Sequence, residues 1–137
     1  MNHVRFAQFL ALVAGLLDFG VGLGLVFLPV KVLPLMGTPT PSDEALVYLR
    51  FVGAFVAAVG ASYLWALRRR LDSGDATLLR STLEITIIFR LAAGSFSAWA
   101  LLQGWLVSAW ASVPATDFAL AIAQGWLLSR GALAEKK

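Results

Sequence analysis

Apolar residues fall in four long runs, at 6–28, 44–67, 78–102 and 114–129, and the polar positions inside each run are few and regularly placed. A helix rises about 1.5 Å per residue and needs about 20 apolar residues to cross roughly 30 Å of hydrocarbon. The spacing therefore predicts an all-α, polytopic membrane protein. It is a four-transmembrane-helix bundle forming one domain over residues 1–137, with a short fourth helix.

The first run is too long for the apolar part of a signal peptide, and no A-x-A-like cleavage site follows it, so it is read as a retained span. Ala7, Ala11, Ala14, Gly15 and Gly22 recur on it at helical spacing, with Asp18 in the same stripe. Small residues let helix backbones approach closely where hydrophobicity gives no drive to associate, so Asp18 is expected to face the bundle. Pro29, Pro34, Pro39 and Pro41 end this helix, and Thr40, Pro41 and Asp43 read as N-cap, first helical residue and N3 acid of the next.

The second run repeats the pattern with Gly53, Ala57 and Ala61, and Arg50 lies one turn before Gly53. Arg68, Arg69 and Arg70 close it, and Asp72-Ser73-Gly74-Asp75 reads as a turn. On the third run Thr82, Thr86, Arg90, Gly94 and Ser97 form one small, polar stripe, and Glu84 lies off that line. Trp105 and Trp110 suit a water–lipid boundary. Pro114 opens the fourth helix, with Asp117 in its first turn, and residues 130–137 read as a polar, frayed tail.

Composition agrees with lipid as the solvent. Hydrophobic residues make up 59% of the chain and charged ones 14%, against about 25% charge in a soluble domain; mean hydropathy is +0.79. The net charge of +3 does not point to nucleic acid, because the basic residues cluster at the ends of apolar runs, Arg90 and Arg50 aside. Arg5, Arg68–Arg70, Arg80, Arg130, Lys136 and Lys137 flank one side, and only Lys31 and Arg50 flank the other. Under the positive-inside rule both termini and the second loop face the cytoplasm of a cell whose cytoplasmic membrane holds the protein. With no cysteine, and His3 as the only histidine, thiolate and histidine-rich metal sites are excluded, and no cofactor is expected.

Depth sorts the buried charges into three layers. Counted from the cytoplasmic ends, Asp18 and Arg90 both lie roughly 16–18 Å deep, near the midplane. Arg50 and Asp117 fall about 5–9 Å below the outer boundary, an outer polar pair. Glu84 and Gln124 lie about 8 Å from the inner one. Asp18 and Glu84 thus differ in depth by roughly 10 Å, too far to share a metal, whose ligand oxygens stand within about 2.5 Å of the ion.

Asp18 and Arg90 read either as a structural ion pair or as a proton- or anion-binding site. Asp117 reads as a favourable acid in a helix first turn, and Arg50 as a side chain that snorkels outward. Glu84, facing only Gln124 and Arg80, is the leading candidate for a ligand- or proton-binding group.

The segment Arg50-Phe51-Val52-Gly53, with Gly60 and Tyr63 further along and Arg90 and Gly94 on the third helix, resembles small bacterial four-helix membrane proteins of the DoxX-like kind. That resemblance implies four spans, and some of those proteins are described as partners of quinone-linked oxidoreductases. It carries over no site residue.

Three functional classes follow. The first is a non-catalytic bundle, binding membrane lipid or a hydrophobic small molecule, or assembling as a homo-oligomer or as part of a membrane complex. The second is a small proton- or ion-coupled transporter or channel working as an oligomer. The third is an intramembrane enzyme acting on a lipid or isoprenoid with Glu84 as acid or base, although no nucleophile–base pair is recognisable by spacing.

Overall fold

A computed structural model of the protein describes residues 3–39 and 41–133. Its elements are α1 (His3–Phe27), α2 (Pro29–Leu35), α3 (Asp43–Ser73), α4 (Thr77–Leu102), a 3-10 turn (Ser108–Ala111) and α5 (Ser112–Ser129). No strand occurs among the described residues. Three helices, α1, α3 and α4, are long and apolar enough to cross a membrane. The 18 residues of α5 reach about 27 Å.

The helix ends differ from the expected ones in ways that matter for the site. Thr40 lies outside the described residues, and the N-cap of α3 is Ser42, whose hydroxyl accepts from the Ala45 N–H at 3.4 Å. Pro41 precedes the helix instead of opening it. The arginines at 68–70 do not close α3; it continues to Ser73 and stops where Gly74 turns left-handed at φ 75°. Asp75 then starts α4 by accepting from both the backbone N–H and the hydroxyl of Thr77, at 2.8 and 2.7 Å. These bonds hold its exposed carboxyl below the usual carboxylate range.

Between α1 and α3 the proline-rich segment is partly helical, because Pro29 occupies the first turn of α2, where its missing N–H is no loss. α5 begins at Ser112, two residues before Pro114, continuing directly from the 3-10 turn.

Two antiparallel hairpins make up the bundle. α1 packs mainly on α3 and α4 mainly on α5, with α3 against α4 joining the two. Backbone nearly touches backbone in the first hairpin. A Cβ placed on Gly22 would stand 2.3 Å from the Ala57 nitrogen, and one on Gly60 would stand 2.2 Å from the Phe19 nitrogen. The stripe on α3 therefore runs Gly53, Ala57, Gly60, Tyr63, all buried, while Ala61 turns partly away. Every residue of the α1 stripe, Ala7, Ala11, Ala14, Gly15 and Gly22, is buried as expected.

The apolar core gathers where the chain ends and the α3–α4 loop meet, around Leu10, Ala14, Leu67, Leu79, Leu83 and Leu127. Of the expected frayed tail, residues 134–137 lie outside the described residues, and the part before them joins the core. Gly131, at φ 66°, turns the chain so that Ala132 and Leu133 fold back and are buried. At the opposite end Trp110 donates its indole N–H to Thr38 at 2.5 Å. That residue is therefore a tie between the two connections at that end, besides any role at a boundary.

Large apolar side chains face outward along the helices, Phe9, Phe55, Ile88 and Ile122 among them, whereas Thr82, Thr86, Arg90, Ser97 and Gln124 are buried. The bundle thus has an apolar exterior and, beside its apolar core, a buried polar stripe, a pattern unlike that of a soluble bundle.

Candidate functional site: the Arg90 network

The polar stripe of α4 is buried over its whole length, at Thr82, Thr86, Arg90, Gly94 and Ser97, and Arg90 forms its centre. Its guanidinium donates from Nη2 to Asp18 Oδ2 of α1 at 2.6 Å and from Nη1 to Asp117 Oδ1 of α5 at 2.8 Å. Nε donates to the Tyr63 hydroxyl of α3 at 3.3 Å, and the guanidinium carbon lies 5.7 Å from the centre of the Tyr63 ring. Arg90 thus bonds to every other long helix. The rigid fork of guanidinium donors suits such a junction, because its N–H groups point in fixed, divergent directions.

Tyr63 extends the network. It donates to Thr86 Oγ1 at 2.8 Å and accepts from Gln124 Nε2. The Thr86 hydroxyl is in turn placed to donate to the Thr82 carbonyl one turn back, at 2.7 Å. Gln124 has no exposed surface, and its carbonyl Oε1 has no hydrogen-bond partner among the described residues. An orphaned buried carbonyl costs about 1–3 kcal/mol, so this is where a donor from outside the chain would be gained.

The central pair expected from depth, Asp18 with Arg90, is present. The other two layers are not. Asp117 joins Arg90 and not Arg50, which is exposed and makes no ion pair among the described residues. The reason lies in the start of α5. Beginning two residues earlier than expected, the helix carries Asp117 about 3 Å deeper and out of its first turn. There its Cβ lies 3.2 Å from where a side chain on Gly94 would begin; the absence of that side chain lets α5 come close one turn beyond Arg90.

Glu84 and Gln124 do not meet either. Glu84 is half-exposed and accepts from Arg80 Nε at 2.9 Å, one turn back on the same helix. Glu84 is therefore paired on its own helix and stands outside the Arg90 network.

Tyr63 is the residue that depth counting missed. It carries no charge, but it follows Gly60 by three positions and so falls on the close-packed face of α3, a visible sign that its hydroxyl points into the bundle. His3, the sole histidine, opens α1 and packs edge-on against the Trp126 ring at 5.4 Å, with Arg130 over the same ring. A comparison with protein-family models, curated proteins and solved structures finds no match.

Proposed function

We propose that the chain is an integral protein of the cytoplasmic membrane, with four spans and both termini cytoplasmic, that acts as a non-catalytic binding or assembly subunit. The observation that carries this is a polar network joining α1, α3, α4 and α5 inside an apolar exterior, with one buried carbonyl, Gln124 Oε1, left without a partner among the described residues. An interior of this kind suits the polar end of a lipid or other hydrophobic small molecule, whose apolar body lies against the outward-facing side chains.

The fourth span is α5 together with the 3-10 turn before it. At about 2 Å per residue that turn adds about 8 Å to the roughly 27 Å of α5, enough to cross the hydrocarbon. The excess of Lys and Arg beside the chain ends and the α3–α4 loop supports the orientation. The resemblance to DoxX-like proteins fits the same span count.

The test is lipid identification by mass spectrometry on protein purified in mild detergent, comparing the native chain with Gln124→Leu. A defined molecule enriched on the native chain and lost from the variant supports the reading. The same lipid profile on both, matching the bulk membrane, removes it.

A second reading, an oligomeric proton- or ion-coupled transporter, draws support from the charge count at Arg90, where two carboxylates share one guanidinium. Flux into proteoliposomes, abolished by Asp117→Asn, would favour it.

A further inference from the structure

The interior of the bundle holds an unequal number of charges. Two carboxylates, Asp18 and Asp117, meet a single guanidinium, so one negative charge is left over. The groups that face them from the packed elements are Tyr63 from α3, Thr86 from α4 and Gln124 from α5, all neutral. Other arginines do not help: Arg50 is exposed, and Arg80 is engaged with Glu84. Asp18 and Asp117 sit on the two terminal nitrogens of the same guanidinium, at 2.6 and 2.8 Å, so two like charges share one small site. An uncompensated charge inside a membrane bundle is costly, and such residues usually pair or mark an ion path.

The carboxylates that carry the surplus charge also have free acceptors of their own. Each carboxylate uses one oxygen on Arg90, and the other, Oδ1 of Asp18 and Oδ2 of Asp117, has no bonded partner among the described residues. Both side chains keep some exposure, 21% and 15%, although Arg90 between them is nearly sealed at 6%. Gln124 Oε1, on the same network through Tyr63, is a buried acceptor without a partner among the described residues.

We propose that the Asp18–Arg90–Asp117 cluster is a binding site for one monovalent cation, either a proton or an alkali ion, taken up at the carboxylate oxygens that Arg90 leaves free. Monovalence follows from the surplus of a single charge; a divalent ion would bring an excess of positive charge beside the guanidinium. Uptake makes the cluster neutral, and release leaves two repelling carboxylates on one cation, so occupancy tightens the junction between the two hairpins. The inference goes beyond the binding-subunit reading and does not depend on it, because the charge count holds whether or not a lipid occupies the bundle.

The experiment uses the full chain in nanodiscs of zwitterionic lipid, with protons, sodium chloride and potassium chloride as probes and choline chloride holding ionic strength constant. If the ion is a proton, infrared spectra near neutral pH show a protonated carboxyl band that disappears in Asp117→Asn. The native melting temperature then falls as pH rises, with a slope of one proton per chain relative to the variant. If it is an alkali ion, the acid band is missing, and sodium or potassium raises the native melting temperature saturably while choline does not. Asp117→Asn leaves one carboxylate for one guanidinium and should respond to neither probe.

A native chain with no acid band and no saturable alkali response overturns the proposal, as does an equal response from the variant. Should Asp117→Asn fail to fold, Asp18→Asn serves as the control, and the native spectra decide on their own. Lipid retention measured on the same samples keeps this result separate from the binding-subunit test.

Discussion

Arg90 spends its guanidinium N–H donors on α1, α3 and α5, so its loss is felt on three helices at once. Arg90→Gln leaves two buried carboxylates without their cation. Breaking a buried ion pair in this way costs about 3–5 kcal/mol, whereas replacing all partners can be near neutral. The triple variant Asp18→Asn, Arg90→Gln, Asp117→Asn should therefore melt above Arg90→Gln alone in detergent. Strictly additive losses would show that the three groups do not act together.

Tyr63→Phe removes a hydroxyl that serves three partners while keeping the ring. A loss of about 1–3 kcal/mol is expected, the range for stranding a buried polar group. Glu84→Gln should change stability by less than about 1 kcal/mol, as befits a half-exposed pair spaced i,i+4.

These residues also show what the sequence made legible. Depth along a helix can be read by counting, and it brought Asp18 and Arg90 together. The face of the helix is a second coordinate, and it turns by about 100° per residue. Glu84 stands two residues from both Thr82 and Thr86, roughly 200° around the axis from each, so it looks away from the stripe that holds Arg90. Asp117 was misplaced for a different reason. Its depth depends on where α5 begins, and Pro114 sits in the third position of that helix although it reads more naturally as the first.

At the scale of elements, the contact between α1 and α3 rests on glycines that admit no side chain. The atoms facing Gly22 and Gly60 are backbone and cannot rotate aside. Gly60→Ala should lower the melting temperature and weaken the α1–α3 contact, with a loss in the range of about 1–3 kcal/mol for overpacking. Gly20→Ala and Gly125→Ala meet nothing within 4 Å and should be neutral or slightly stabilising, because alanine is the better helix former by about 1 kcal/mol. Thermal melts of the three variants side by side provide the check.

The small-residue stripes were readable in the sequence, since spacing alone places them on one face. The step to Gly60 in place of Ala61 was not, because a strict four-residue repeat drifts about 40° per step on a turn of about 3.6 residues, and only the packed partner shows where an i+3 step brings the line back. Burial of Ala132 and Leu133 was hidden for a similar reason. It depends on a single left-handed residue, Gly131, that reverses the chain at the end of α5.

At the scale of the molecule, orientation can be tested with single cysteines, for the chain has none of its own. Val107, exposed in the connection before α5, and Ser73, exposed at the end of α3, make suitable reporters. Val107→Cys should react with an impermeant thiol reagent in intact cells, and Ser73→Cys only in inverted vesicles. The opposite pattern would reverse the proposed topology.

The short link from Gly74 to Ala76 is the only covalent tie between the α1–α3 hairpin and the α4–α5 hairpin. Each hairpin makes most of its contacts within itself. The protein is thus divisible: residues 1–74 and 75–137, made as separate polypeptides in the same cell, should each insert and then find one another. What would bring the halves together is the meeting of Asp18 and Tyr63 on one fragment with Arg90 on the other, helped by Trp110 reaching Thr38. Co-purification of the two pieces, lost when the second carries Arg90→Gln, would make the buried arginine a mating surface between two self-contained parts.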